Sequence, residues 1–90
     1  MRVKFFAYLR DYTGCSETEM PVAATVGELA RILGDRYGPR LRNKMLAENG
    51  ELGPEIIIMI NGRHVVHLGG FDAPLKSDDV VQIFPVVAGG

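Results

Sequence analysis

The residues with the clearest chemical potential are the last five. After Phe84-Pro85 the sequence runs Val86-Val87-Ala88-Gly89-Gly90, with side chains that shrink until the final two have none. Proline cannot donate to a β-ladder, so a strand should finish at Pro85. The residues beyond it reach at most about 16–18 Å. Such an end can thread a narrow channel and present the Gly90 carboxylate to a catalytic site, with Gly89, Ala88 and Val87 as its stem. Glycine also adopts backbone angles closed to other residues, which lets the stem lie against a partner's backbone. The alternative is a frayed terminus, where glycine is common. At an average usage of about 7%, two terminal glycines coincide in roughly 0.5% of chains. A strand, a proline stop and a taper in succession favour the functional reading.

The other reactive side chains do not form an obvious site. Cys15 lies beside Gly14 in a predicted turn, with no histidine or second cysteine adjacent, and reads as an ordinary, partly exposed thiol. His64 and His67, three apart in a predicted strand, fall on opposite faces, unlike a paired metal site; no metal is expected. Asp78 and Asp79 are paired carboxylates, but acid–base work needs a pocket and a counterpart. In a turn before the last strand they set that turn. Arg36, Arg40, Arg42 and Lys44 have Asp35 and Glu48 nearby and read as a solvated helix face. Gly69-Gly70 reads as a turn. Neither Gly-rich pair is followed by Lys-Ser or Lys-Thr, so there is no phosphate-cradling loop.

Positioning the tail requires a scaffold, and hydrophobic periodicity outlines one. Val3–Leu9 alternates as a strand with Val3, Phe5, Ala7 and Leu9 inward and Lys4, Phe6 and Tyr8 outward. Residues 10–16 read as a turn and Glu17–Ala23 as a second strand. Thr25 is a helix N-cap with Glu28 as its capping-box partner. Val26, Leu29, Ile32 and Leu33 form the apolar face of that helix, which stops at Gly38-Pro39. Residues 40–48 suggest a short second helix. Glu55–Ile60 is a strand, and Asn61-Gly62 is the preferred pair for a two-residue type I′ turn, returning Arg63–Leu68 antiparallel. Val80–Phe84 is the last strand, with Val81 and Ile83 inward and Val80, Gln82 and Phe84 outward.

The order β-β-α-(α)-β-β-β points to an α+β fold of the β-grasp, ubiquitin-like arrangement, a mixed sheet of about five strands with one main and one short helix. Residues 1–85 would form this domain and 86–90 a flexible tail. The outward face offers Phe6, Tyr8 and Phe84, with Met59 and Ile57 nearby, as an apolar docking patch. Arg10 at the strand end and His64 at the rim would join it.

Composition narrows the class. Ninety residues suit one domain, and 47% hydrophobic with 23% charged residues argues against intrinsic disorder. A net charge of -1 and a pI near 6.1 leave no electrostatic footprint for nucleic acid. One cysteine cannot form an internal disulfide. With no signal-peptide block and no apolar run of about 18 residues, a cytoplasmic location is expected.

The chain resembles the MoaD/ThiS family of ubiquitin-like sulfur carriers over nearly its whole length. The resemblance is carried by Val3-Lys4-Phe5-Phe6-Ala7, by Ala24-Thr25-Val26-Gly27-Glu28-Leu29, by Ile60-Asn61-Gly62 and most of all by Leu75 through Gly90. Within the family it is most similar to the small subunit of molybdopterin synthase, although Val86 replaces a usual second proline and Ser77-Asp78-Asp79 stands for Asp-Gly-Asp.

The resemblance implies a reaction. A carboxylate is ionised at neutral pH and acylates poorly. In this family an E1-like adenylating enzyme of the MoeB type uses ATP and magnesium to convert the terminal carboxylate, here Gly90, into an acyl-adenylate. A sulfur donor then displaces AMP to leave a thiocarboxylate. In molybdopterin synthase a large subunit of the MoaE type would pass that sulfur to precursor Z in molybdenum- or tungsten-cofactor synthesis. The chain itself would then bind no cofactor and be a non-catalytic subunit or cosubstrate. The residues matching Phe6, Phe84 and Arg10 lie near partners in the family. The alternatives are a carrier for cysteine, thiamine thiazole or tRNA thiolation, and a protein modifier joined to lysines through Gly90.

Overall fold

In the computed structural model, residues 1–21 and 23–86 are described. β1 (Arg2–Phe5), α1 (Leu9–Thr13), β2 (Glu17–Glu19), α2 (Val26–Tyr37), α3 (Pro39–Met45), β3 (Ile56–Ile60), β4 (Arg63–His64) and β5 (Val80–Pro85) succeed one another, with two 3₁₀ turns between β4 and β5. The strands form one mixed sheet in the order β2-β1-β5-β3-β4. β1 and β5 are parallel, and the other neighbours antiparallel. This is the expected β-grasp, ubiquitin-like fold.

The period-two pattern places the core. Val3 and Phe5 of β1, Ile58 and Ile60 of β3, and Val81 and Ile83 of β5 are buried with Val26, Leu29, Ala30 and Leu33 of α2 and Leu41 and Met45 of α3. The inward and outward sets of β5 are as the sequence predicts. Among the described residues, no helix is long and apolar enough to cross a membrane.

Several local expectations are corrected. β1 stops at Phe5 rather than Leu9, because Ala7 takes φ 53 and the chain turns into α1. Leu9 is fully buried, but from a helix. The segment read as a turn is therefore partly helical, which adds a third α-helix. Five helical residues with one buried apolar position give too short a pattern to compete with the β-like alternation before them. β2 ends at Glu19, four residues before the expected Ala23, and α3 ends at Met45. After Arg63–His64 the return strand gives way to a 3₁₀ turn over Val65–His67. Ile32, assigned to the core face of α2, is 38% exposed.

The caps behave as sequence chemistry dictates. Thr25 Oγ1 accepts the Glu28 N–H at 3.2 Å, and the Glu28 carboxylate reaches back to the Ala24 N–H at 3.3 Å. Gly38 ends α2 and Pro39 opens α3 at the position where a missing N–H costs nothing. Asn61 and Gly62 both have positive φ, 52° and 83°, as a type I′ turn requires. Asn61 does more than turn the chain: Oδ1 accepts the Val80 N–H and Nδ2 donates to Asp79, each at 2.9 Å. Asp79 is buried and its other oxygen accepts the Lys76 N–H at 2.8 Å. The turn role expected of the acidic pair thus falls to Asp79, and Asn61 fastens the start of β5 to the β3–β4 hairpin.

These contacts set measurable costs. Leu29→Ala should lower stability by about 2–5 kcal/mol, whereas Ile32→Ala should stay within about 1 kcal/mol, read from urea midpoints. Asn61→Gly, which removes the side-chain bonds but tolerates the turn, should cost about 1–3 kcal/mol. Asn61→Ala should cost about 1 kcal/mol more, because a side chain at positive φ is strained.

Candidate functional site

The tail leaves the fold from β5, and the register fixes its surroundings. Ile56 lies opposite Pro85 and Ile57 opposite Phe84. Beyond Pro85 the Val86 N–H donates to the Glu55 carbonyl at 2.9 Å. Proline interrupts the donors at its own position only, and the attachment runs one residue past the boundary drawn from the sequence. Val87, Ala88, Gly89 and Gly90, the expected reactive stem and terminus, lie outside the described residues.

The outward face of the sheet is built in cross-strand rows. Phe6 comes directly after β1, donates its N–H to the Ile83 carbonyl at 3.1 Å, and stacks its ring on Phe84. The centroids are 4.2 Å apart and the planes 15° from parallel. Ile57 continues this row across β3. The neighbouring row runs Lys4, Gln82, Met59 and His64 across four strands. All of these side chains are half-buried. Phe6, Phe84, Met59, Ile57 and His64 are therefore brought together as anticipated, and Phe84 stands immediately before the exit of the tail.

Tyr8 and Arg10 are not part of that face. The break at Ala7 ends the alternation that assigned them there. Tyr8 precedes α1, packs against the core, and lies 5.4 Å from the Tyr12 ring. Arg10 is an exposed α1 residue rather than a strand-end charge, with Nε donating to the Ala7 carbonyl at 3.3 Å. Tyr8 instead begins a second cluster beside the exit. Lys44 Nζ lies 5.7 Å from its ring and 3.4 Å from the Glu55 carboxylate, and the Arg40 guanidinium sits 4.2 Å over Tyr12. Partial burial opposes the Lys44 charge, but Glu55 and Tyr8 outweigh it and raise the pKa above the usual lysine value. Sequence offered no signal for this cluster, since its members come from α1, α3 and the approach to β3.

The basic residues of α2 and α3 are engaged locally. Arg42 pairs with Asp35, and Arg36 lies over Tyr37. Cys15 is half-buried, with Sγ 3.7 Å from the Tyr37 hydroxyl. The phenol's pKa is raised, chiefly by burial. His64 and His67, expected on opposite faces, have ring centroids 6.2 Å apart because the chain leaves β4 after His64. His64 Nδ1 accepts the Val66 N–H at 3.0 Å. Among the described residues, no three His, Cys, Asp or Glu side chains group around a possible metal.

Comparison with known proteins places this geometry. Residues 3–90 match the model of the ThiS family. Small archaeal modifier protein 3 of Haloferax volcanii is 38% identical over 92 aligned positions, covering 100% of this chain and 98% of the relative. The solution structure of small archaeal modifier protein 1 from Methanosarcina acetivorans superposes with a TM-score of 0.83 at 34% identity, covering 99% and 94% of the two chains. A chain of the BexX/CysO complex of Amycolatopsis orientalis gives 0.82 at 30% identity, covering 99% and 98%.

The stacked pair on the sheet face should be energetically coupled. A double-mutant cycle with Phe6→Leu and Phe84→Leu, measured by chemical unfolding, should give an interaction of about 0.5–1.5 kcal/mol.

Proposed function

The chain belongs to the ThiS family, and from that premise we propose that it is a ubiquitin-like sulfur carrier and protein modifier acting through Gly90. The observation that carries this reading is the match of the family model up to Gly90 itself, in a chain similar over its full length to an archaeal modifier. The fold supports it mechanically. β5 is held on both sides, by β1 and β3, as far as Ile83, and by β3 alone to Pro85, so the chain's end is delivered from a paired strand and not from a loop.

Chemistry at such an end needs activation from outside. The Gly90 carboxylate attacks the α-phosphate of ATP on an E1-like adenylating enzyme with magnesium, and pyrophosphate leaves. A sulfur donor displaces AMP to leave the thiocarboxylate, or a target amine displaces it to form an amide. Sulfur in the thiocarboxylate is softer and more nucleophilic than the oxygen it replaces. The chain is a cosubstrate in either branch, and the catalytic groups belong to its partners. Val87, Ala88 and Gly89 act as the stem, and the Phe6–Phe84–Ile57 row beside the exit is the docking face that holds the carrier during processing.

The relatives' names favour a modifier, or a carrier outside molybdenum metabolism, over the small subunit of molybdopterin synthase. Transfer to precursor Z on a MoaE-type large subunit is the narrower form of the same chemistry. Complementation of cells lacking the molybdopterin small subunit would support that branch.

Incubation with the cognate activating enzyme, ATP, magnesium and a sulfur donor should add the mass difference between sulfur and oxygen at Gly90, read by intact-protein mass spectrometry. Deleting Gly89-Gly90 should abolish the product without changing the unfolding curve. An unmodified Gly90 in the presence of an enzyme shown to be active on another carrier would overturn the reading.

A further inference from the structure

If Gly90 is joined to amines, this chain's own amines are candidate acceptors, and they are far from equivalent. The lysines are Lys4, Lys44 and Lys76. Lys44 keeps 24% of its side chain exposed and holds the Glu55 carboxylate at 3.4 Å. Its raised pKa keeps it in the non-nucleophilic ammonium form. Lys4 is half-buried in the cross-strand row between Glu17 and Gln82. The Met1 amine is tied to the Met20 carbonyl at 3.1 Å. Among the described residues neither the Lys4 nor the Lys76 ammonium has a hydrogen-bond or ion-pair partner, and of these two only Lys76 is exposed.

The backbone that presents Lys76 is held on both sides. The Leu75 N–H donates to the Ala24 carbonyl at 3.1 Å, and Leu75 is buried. The Lys76 N–H donates to the Asp79 carboxylate at 2.8 Å, and the Lys76 carbonyl accepts the Asp79 N–H at 3.1 Å. A fixed turn therefore carries a free side chain. Next to it opens a shallow groove of about 290 Å³, where Arg2, Glu19, Ser77, Asp78 and Asp79 share the walls with apolar Met1 and Val80. These mixed walls leave room for a peptide end that has backbone groups but no side chains. Lys76 also precedes β5, whereas the tail leaves from its far end, roughly 20 Å away along the strand.

We propose that Lys76 is the acceptor site for the Gly90 carboxyl of a second copy of this chain, so that copies join head to tail in an open chain. The proposal rests on the activation of Gly90 argued above. The ε-amine, as its free base, attacks the Gly90 carbonyl of the acyl-adenylate. The C–N bond forms, the C–O bond to AMP breaks, AMP leaves with the electron pair, and the amine's proton passes to solvent. Nothing is oxidised or reduced.

The test uses full-length chain with its cognate adenylating enzyme, ATP and magnesium, and tracks Gly90 activation and covalent dimer separately. Wild type and the Lys4→Arg/Lys44→Arg double variant should both give dimers whose linked peptides join Gly90 to Lys76. Lys76→Arg should lose the dimer and keep Gly90 activation. Linkage at Lys4, Lys44 or Met1, a cyclised monomer, or activation with no dimer overturns the acceptor assignment alone. Absence of activation overturns the carrier reading and the assignment with it. Limited acetylation with an N-hydroxysuccinimide ester ranks the amines without any enzyme. Lys76 should be labelled first, and earlier labelling of Lys44 or Lys4 counts against the proposal.

Discussion

The parallel pairing of β1 with β5 is the constraint on which the rest of the structure depends. Parallel neighbours cannot be joined by a tight turn, so everything between Phe5 and Val80 must cross over and return. That crossover contains α2 and α3, whose apolar faces cover the sheet and close the core. It also contains the β3–β4 hairpin, which occupies the other side of β5. β5 is consequently paired on both edges, and Val81 and Ile83 are fully buried. A strand in that position cannot fray without dismantling the sheet. The most anchored element of the fold is thus the one that leads to the glycine end of the sequence.

This arrangement separates rigidity from chemistry. The attachment ends with the Val86 N–H on the Glu55 carbonyl, and beyond it the sequence tapers to glycine. Around the exit lie two surfaces of different character. One is the flat aromatic and aliphatic row of Phe6, Phe84 and Ile57. The other is the mixed cluster of Tyr8, Tyr12, Arg40 and Lys44, in which cations lie over or beside tyrosine rings. The first is apolar area, and the second is charge already supported by its neighbours.

Much of the scaffold was legible because its signals are local. Thr25 and Glu28 announced the start of α2, Gly38-Pro39 its end, and Asn61-Gly62 the hairpin. The alternation in Val80–Phe84 divided the buried residues from the half-buried outward ones correctly. The same rule failed between Phe6 and Leu9, where an apolar alternation continued past the point at which the backbone turned. Leu9 satisfied the pattern for the wrong reason: it is buried, but from a helix. Tyr8 and Arg10 were misplaced by the same error, since a period-two rule carries every later residue to the wrong face once the strand has ended.

Sequence by itself determined the order of the strands and of the two longer helices, the caps of α2 and the Asn61-Gly62 turn, and the tapered glycine end, because each depends on residues within a few positions of one another. Only the tertiary structure decided which distant groups meet. The stacking of Phe6 on Phe84 needs β1 and β5 in register across most of the chain. The bonds from Asn61 to Asp79 and Val80 and the Lys44–Glu55 pair likewise depend on how helices and strands are packed. Lysine accessibility belongs to the same category. Lys4, Lys44 and Lys76 are chemically identical in a sequence, and the field and cover supplied by residues far along the chain make them different.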